Sequence, residues 1–177
     1  MINLYHGIAI VGANGSGKTT LGKHLADLMG YKHMDVEAYY FKASTIPYIN
    51  PRTKEEVQEL MIADIKKYNN FVLSSVNCDY GREINSLYNY VIYIKAPLDI
   101  RLERVKKRSV DKFGIRVLEG GDMYEQEQKF FKFVASRTMD KTDAWLQSIE
   151  CPVIYIDGTE TITNNAEMLK EKIKRFI

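Results

Sequence analysis

The chain has 177 residues, 45% hydrophobic and 27% charged, and its 25 Lys+Arg against 23 Asp+Glu leave a net charge of +2. That balance excludes a disordered chain and the global basic field of a dedicated nucleic-acid binder, and no apolar run approaches a membrane span. One compact domain over 1–177, with no nucleic-acid or membrane partner, is expected. Cys78 and Cys151 are too few for a disulfide framework or a four-ligand zinc site, and the N-terminus has no basic leader; both point to a reducing, cytoplasmic setting.

Short apolar runs at 8–11, 71–73, 91–94 and 153–156, with a weaker one at 31–34, alternate with longer stretches of helical pattern. Runs that are continuous, not alternating, suit strands covered by helices on both faces, so a parallel α/β sheet is expected. The first run leads through a glycine-rich loop into a helix over 18–29, which Gly30 ends. The second stops at Asp35 and opens an irregular stretch, 38–52, carrying Tyr39, Tyr40, Phe41, Pro47 and Tyr48. Pro51 and Thr53 then signal a helix over 53–68, in which Val57, Leu60, Met61, Ile65 and Tyr68 recur at helical spacing before Asn69-Asn70. Later helices are expected at 98–108, 122–137 and 162–175. The stretch 109–121, with Gly114, Gly120 and Gly121, fits no element; like 38–52 it reads as a substrate-binding or lid segment. His6, His24 and His33 show no metal-ligand spacing.

Gly12, Ala13, Asn14, Gly15, Ser16, Gly17, Lys18 and Thr19 spell G-x-x-x-x-G-K-[ST], directly after a strand and opening a helix that continues with Thr20. The glycines let successive backbone N–H groups converge on phosphate oxygens, and the helix N-terminus favours negative charge. Lys18 is placed to reach the β/γ-phosphates and the Thr19 hydroxyl to ligate Mg²⁺, so a nucleoside triphosphate with Mg²⁺ is the expected ligand. No N-K-x-D segment is present to read guanine, and the run 71–73 ends in Ser74 and Ser75 where a metal-linked Asp would stand. Asp35, at the carboxyl end of the second strand, is the leading source of that carboxylate. Ser74, Ser75, Asn77 and Asp79, at the end of the third strand, are candidates to contact an acceptor or the metal's water shell.

With the phosphate loop, Asp35-x-Glu37, the arginines over 101–116 and the late Ile156-Asp157-Gly158-Thr159, the chain resembles the small P-loop kinases of the adenylate, cytidylate and shikimate kinase group. The resemblance implies a three-layer α/β P-loop NTPase fold, a five-stranded parallel sheet in order 2-3-1-4-5, an acceptor-binding segment near 36–68 and a lid near 109–137. It implies transfer of the γ-phosphoryl group of MgATP to a small-molecule acceptor by a monomer or homodimer, a nucleoside monophosphate being favoured. A hydroxylated metabolite of the shikimate or gluconate type, or an ATPase switch acting through a protein partner, are the alternatives. Asp35 and Glu37 follow Lys18 by 17 and 19 residues. Shikimate kinase carries two acids at that distance, the first near Mg²⁺ and the second facing the acceptor hydroxyl. Arg104 and Arg108, four apart on one helix face, match the lid-entrance arginines of adenylate-type kinases, which pack on adenine and approach phosphate. Arg116 and Arg137 are then expected as lid arginines that neutralise the transferring group, and Asp157, Gly158 and Thr159 as a loop that contacts adenine through its main chain. Tyr39, Tyr40, Phe41, Tyr48 and Arg52 are candidates for an acceptor pocket that stacks a ring and pairs an anion.

Overall fold

Along a strand covered on both sides, successive side chains join opposite layers, and the five strands of this chain do so in step. The computed structural model describes residues 5–42 and 50–174. Its strands are β1 (His6–Val11), β2 (Lys32–Asp35), β3 (Asn70–Ser74), β4 (Tyr88–Lys95) and β5 (Val153–Asp157). Its helices are α1 (Lys18–Met29), α2 (Val36–Tyr40), α3 (Lys54–Tyr68), α4 (Arg82–Asn85), α5 (Leu98–Phe113), α6 (Tyr124–Ser136), α7 (Asp140–Leu146) and α8 (Ile162–Lys174), with a 3-10 turn at Gly114–Val117. The strands form one sheet in the order β2-β3-β1-β4-β5, every neighbouring pair parallel. This is the order the resemblance implied.

Ala9, Val11, Met34, Phe71, Leu73, Val91 and Tyr93 point to one face, where Val57, Met61 and Ile65 of α3 and Trp145 of α7 cover them. Ile8, Ile10, Val72, Ile92, Ile94 and Ile156 point to the other, against Leu21, Leu25 and Ala26 of α1 and Ala166, Leu169 and Ile173 of α8. The runs in β1, β3 and β4 are therefore unbroken because both of their faces are interior, whereas the edge strand β5 leaves Tyr155 60% exposed. Cys78 is fully buried in the first layer, its Sγ 3.9 Å from the carbonyl oxygens of Ile10 and Leu73, and burial pushes its thiol far above the ordinary range. Tyr88 donates to the Cys78 carbonyl at 2.9 Å and meets Trp145 edge to face at 6.2 Å.

The long helices lie where the periodicity placed them, and Gly30 ends α1 in the left-handed conformation at φ 69. The described parts of the two irregular stretches are more regular than their sequence suggested. Nothing breaks the helix after Arg108, so α5 continues to Phe113 and stops at Gly114, whose φ is 60. Asp35 caps α2, accepting from the Glu37 amide at 3.2 Å. Arg52 then ties the exit of α2 to the start of α3, donating to the carbonyls of Tyr39 at 2.9 Å and Phe41 at 3.0 Å. A full capping box, Thr53 with Glu56, starts α3. Pro47 and Tyr48 lie outside the described residues. Among the described residues no helix is long and apolar enough to cross a membrane.

Candidate functional site

The carboxyl ends of β1 and β2, the N-terminus of α1 and the first turns of α5 meet at the phosphate loop. Gly15 has φ 80 and Gly17 has φ 101, values that L side chains rarely adopt. A Cβ on Gly15 would also strike the Arg101 carbonyl. Arg101 in turn donates to Ala96 at 3.1 Å and to the Asn14 carbonyl at 3.2 Å, so its role is to brace the loop from α5. Ser16 donates its amide to Ala13 at 3.2 Å, while its hydroxyl is buried with no hydrogen-bond partner among the described residues. That unpartnered hydroxyl, at the turn that leads into α1, is free to donate to an anion seated on the loop.

Lys18 folds back over the loop and donates to the Ala13 carbonyl at 2.9 Å. Its pKa is down to about 8, first through burial and further through the neighbouring Arg108 and Arg137 guanidiniums, with Cys78 and Asp35 partly opposing. Three cations thus converge where Asp35 also stands.

Two cavities flank this point. The first, about 480 Å³, is lined by Gly15, Gly17, Lys18, Thr19 and Thr20, by Arg104 and Arg108 of α5, and by Thr159 to Ile162 after β5. Arg104 donates to the Gly158 carbonyl at 2.8 Å, fastening the late loop to α5. Gly158 is packed so closely that a Cβ would sit 2.9 Å from the Ser16 carbonyl and 3.0 Å from that of Lys95. Asp157 accepts from the Thr159 amide at 2.8 Å and hydroxyl at 2.7 Å; these bonds lower its pKa and set a turn, and its side chain stays outside this cavity.

The second cavity, about 600 Å³, opens between Asn14, Glu37 and Phe41, the end of α5, and α6. Phe113, Phe130 and Phe133 supply flat walls, and Arg108, Arg137 and Lys112 supply charge. Arg137 donates to the Asn14 side chain at 3.2 Å and lies over the Phe133 ring at 5.4 Å. Arg108 borders both cavities.

Of the residues singled out in the sequence, the loop, Asp35, Glu37, Arg104, Arg108, Arg137 and Thr159 are brought together here. Arg116 is not. It is exposed, ion-paired with Asp122 at 2.7 Å, and borders neither cavity; the Asp122 hydrogen bond raises its pKa and lowers that of Asp122. The pair closes the loop after the 3-10 turn. Arg52 serves the α2 backbone, and Tyr39 is buried, donating to Asp64 at 2.5 Å, so of the expected aromatic pocket Phe41 alone borders the cavity among the described residues. Ser74 is hydrogen-bonded to His33 at 2.9 Å, Ser75 accepts from Tyr80 at 3.2 Å, and Asn77 and Asp79 accept from the turn before α4. None of the four borders either cavity.

Sequence reasoning missed Ser109, Glu127 and the three phenylalanines. Glu127 and Phe130 lie three apart on one face of α6, the signal that could have drawn attention to them. Among the described residues no three His, Cys, Asp or Glu side chains cluster as a metal cage. Mg²⁺ requires none, since one or two protein oxygens together with substrate phosphates hold it. Thr19, which lines the cavity at the loop, and Asp35, whose charge acts on the Lys18 ammonium there, carry oxygens of the kind that requirement asks for.

A family model described as an AAA domain matches residues 8–149. The Bacillus subtilis protein YqaC, itself uncharacterized, is 31% identical over 170 residues, spanning 90% of this chain and 93% of its own. An Acinetobacter baylyi shikimate kinase is 28% identical over 107 residues, 55% of this chain and 59% of that one. Among solved structures, deoxyadenosine kinase from M. mycoides with bound dATP superposes with a TM-score of 0.58 over 95% of this chain and 99% of its own, at 14% identity, and so shares the fold.

Proposed function

We infer the reaction from one premise: the chain belongs to the AAA domain family of small P-loop kinases. It is an ATP- and Mg²⁺-dependent phosphotransferase acting on a small molecule, and the acceptor class supported best is a nucleoside monophosphate. The observation that carries this reading is the pair of cavities meeting at Arg108, one beside the phosphate loop and one walled by phenylalanines. The relatives named shikimate kinase and the nucleotide-bound neighbour agree with the chemistry without fixing the acceptor.

In this reading the loop amides, the Ser16 hydroxyl and Lys18 hold the β/γ-phosphates, while Arg104 offers its guanidinium plane to the base. Arg108 and Arg137 neutralise charge spreading over the transferring group. The acceptor oxygen bonds to the γ-phosphorus as the bond to the β–γ bridging oxygen breaks, leaving ADP. A monophosphate brings an oxygen that is already anionic, so no base is needed. Bound Mg²⁺, held by Thr19 and Asp35, would screen the phosphate charges.

A second reading rests on Glu37, which stands at the mouth of the acceptor cavity. For a hydroxylated metabolite, Glu37 would take the proton that the attacking hydroxyl must lose. The test is ADP formation from MgATP with a panel of nucleoside monophosphates, shikimate-like acids and sugar acids, against a control lacking acceptor. Stimulation by monophosphates, with diphosphate products, is expected. Stimulation by hydroxy acids alone would move the assignment to the second reading; turnover that no acceptor raises would leave an ATPase switch.

A further inference from the structure

Glu127 is 8% exposed, yet its carboxylate borders the acceptor-side cavity. One oxygen, Oε2, accepts from the Ser109 hydroxyl at 2.6 Å, and Ser109 is itself only 7% exposed. Among the described residues Glu127 has no ion-pair partner. A carboxylate at this depth has capacity for about four hydrogen bonds and is costly to leave with one. Its remaining acceptor capacity is turned to a cavity whose walls are Phe41, Phe113, Phe130 and Phe133, the rings of Phe130 and Phe133 lying 26° from parallel at 6.5 Å. Flat apolar walls favour a planar ring, and a fixed carboxylate beside them favours an edge that donates N–H and disfavours one that presents carbonyl oxygens.

Resting on the phosphotransferase reading above, the geometry points to Glu127 as the residue that selects the acceptor, admitting bases that carry an exocyclic amino group and rejecting uracil and thymine. Ser109 is its positioning residue, holding Oε2 so that the other oxygen meets the ring edge. The phosphate of such an acceptor falls to the cationic end of the cavity, at Arg108 and Arg137. Uracil and thymine offer a carboxylate only an N3–H set between two carbonyl oxygens that repel it, whereas an amino-bearing edge pairs with it, and a buried acceptor left poorly paired discriminates strongly.

The experiment is kcat/KM for AMP, CMP and GMP against UMP and dTMP, in the wild type and in Glu127→Gln, with ATP KM recorded in each. Amino-bearing bases are expected to lead by at least about tenfold in the wild type. Glu127→Gln, which adds a donor at the same position, should bring the ratio near unity while ATP KM stays put. Ser109→Ala should raise acceptor KM more than it lowers kcat, and it tests the same point should Glu127→Gln fail to fold. Equal use of uracil and thymine nucleotides by the wild type, or an amino-base preference that survives Glu127→Gln, would overturn the inference and leave phosphoryl transfer intact. Stimulation by hydroxy acids alone would also overturn it. If no acceptor raises turnover, the reading of the function itself fails, and this inference fails with it.

Discussion

Lys18 holds its ammonium among Arg108, Arg137 and the buried loop, and its pKa near 8 records what that position costs in the free protein. Between that value and the ordinary 10.5 the folded chain binds fewer protons than the unfolded one, so unfolding free energy rises with pH across this window. A bound polyphosphate reverses the balance by favouring the ammonium. ATP affinity is therefore expected to be flat up to about pH 8 and to fall about tenfold per unit above it, read by titration calorimetry along a pH series. Lys18→Ala should abolish phosphoryl transfer with an unchanged far-ultraviolet spectrum, and its weak ATP binding should lack that inflection. A wild-type profile flat through alkaline pH would remove Lys18 from the phosphate site.

Elements show where local sequence pattern suffices. Strands buried on both faces leave continuous apolar runs, and helices as long as α1, α3 and α8 leave several turns of periodicity, so the sheet and its main covering helices are legible. Segments as short as α2, α4 and α7 span too few turns for a 3.6-residue period to register. Arg52 shows the second limit: a lone arginine among aromatics reads as an anion partner, yet it donates to main-chain carbonyls at the end of α2. Arg52→Ala should leave those carbonyls unpaired and destabilise the protein by about 2 kcal/mol. That corresponds to a melting temperature lower by about 4–8 °C. Because α2 carries Glu37 and not the phosphate loop, ATP affinity should hold while acceptor KM rises. Loss of ATP binding would show that α2 supports the loop as well. The Ser109–Glu127 pair joins two helices across 18 residues of sequence, and no local pattern announces it. The phosphate loop is the opposite case, since its residues are contiguous and each has one task.

In the whole molecule, α5 is the member through which the parts communicate. Arg101 braces the phosphate loop, Arg104 fastens the loop after β5, Arg108 borders both cavities, and Ser109 grips α6. One helix thus serves the phosphate-loop cavity on its first turns and the phenylalanine-walled cavity on its last. Ligand that binds only the folded chain stabilises it by mass action, by about 2.7 kcal/mol at a hundred times its Kd. For a chain of this size MgATP at that excess should raise the melting temperature by about 5–10 °C, and Lys18→Ala should cancel the rise. A wild-type melting curve indifferent to MgATP would contradict the nucleotide assignment.

Cys78 lies directly beneath this apparatus, against the carbonyls of Ile10 and Leu73, with a thiol that burial keeps protonated. Only a thiolate attacks an alkylating reagent, so Cys78 is chemically silent for as long as the sheet stays shut. Cys151, half-buried at the edge of the same layer, provides an internal standard. The rate at which Cys78 alone takes up label under native conditions is therefore a clock for the opening of the core under the phosphate loop, one that the chain carries without any engineered probe.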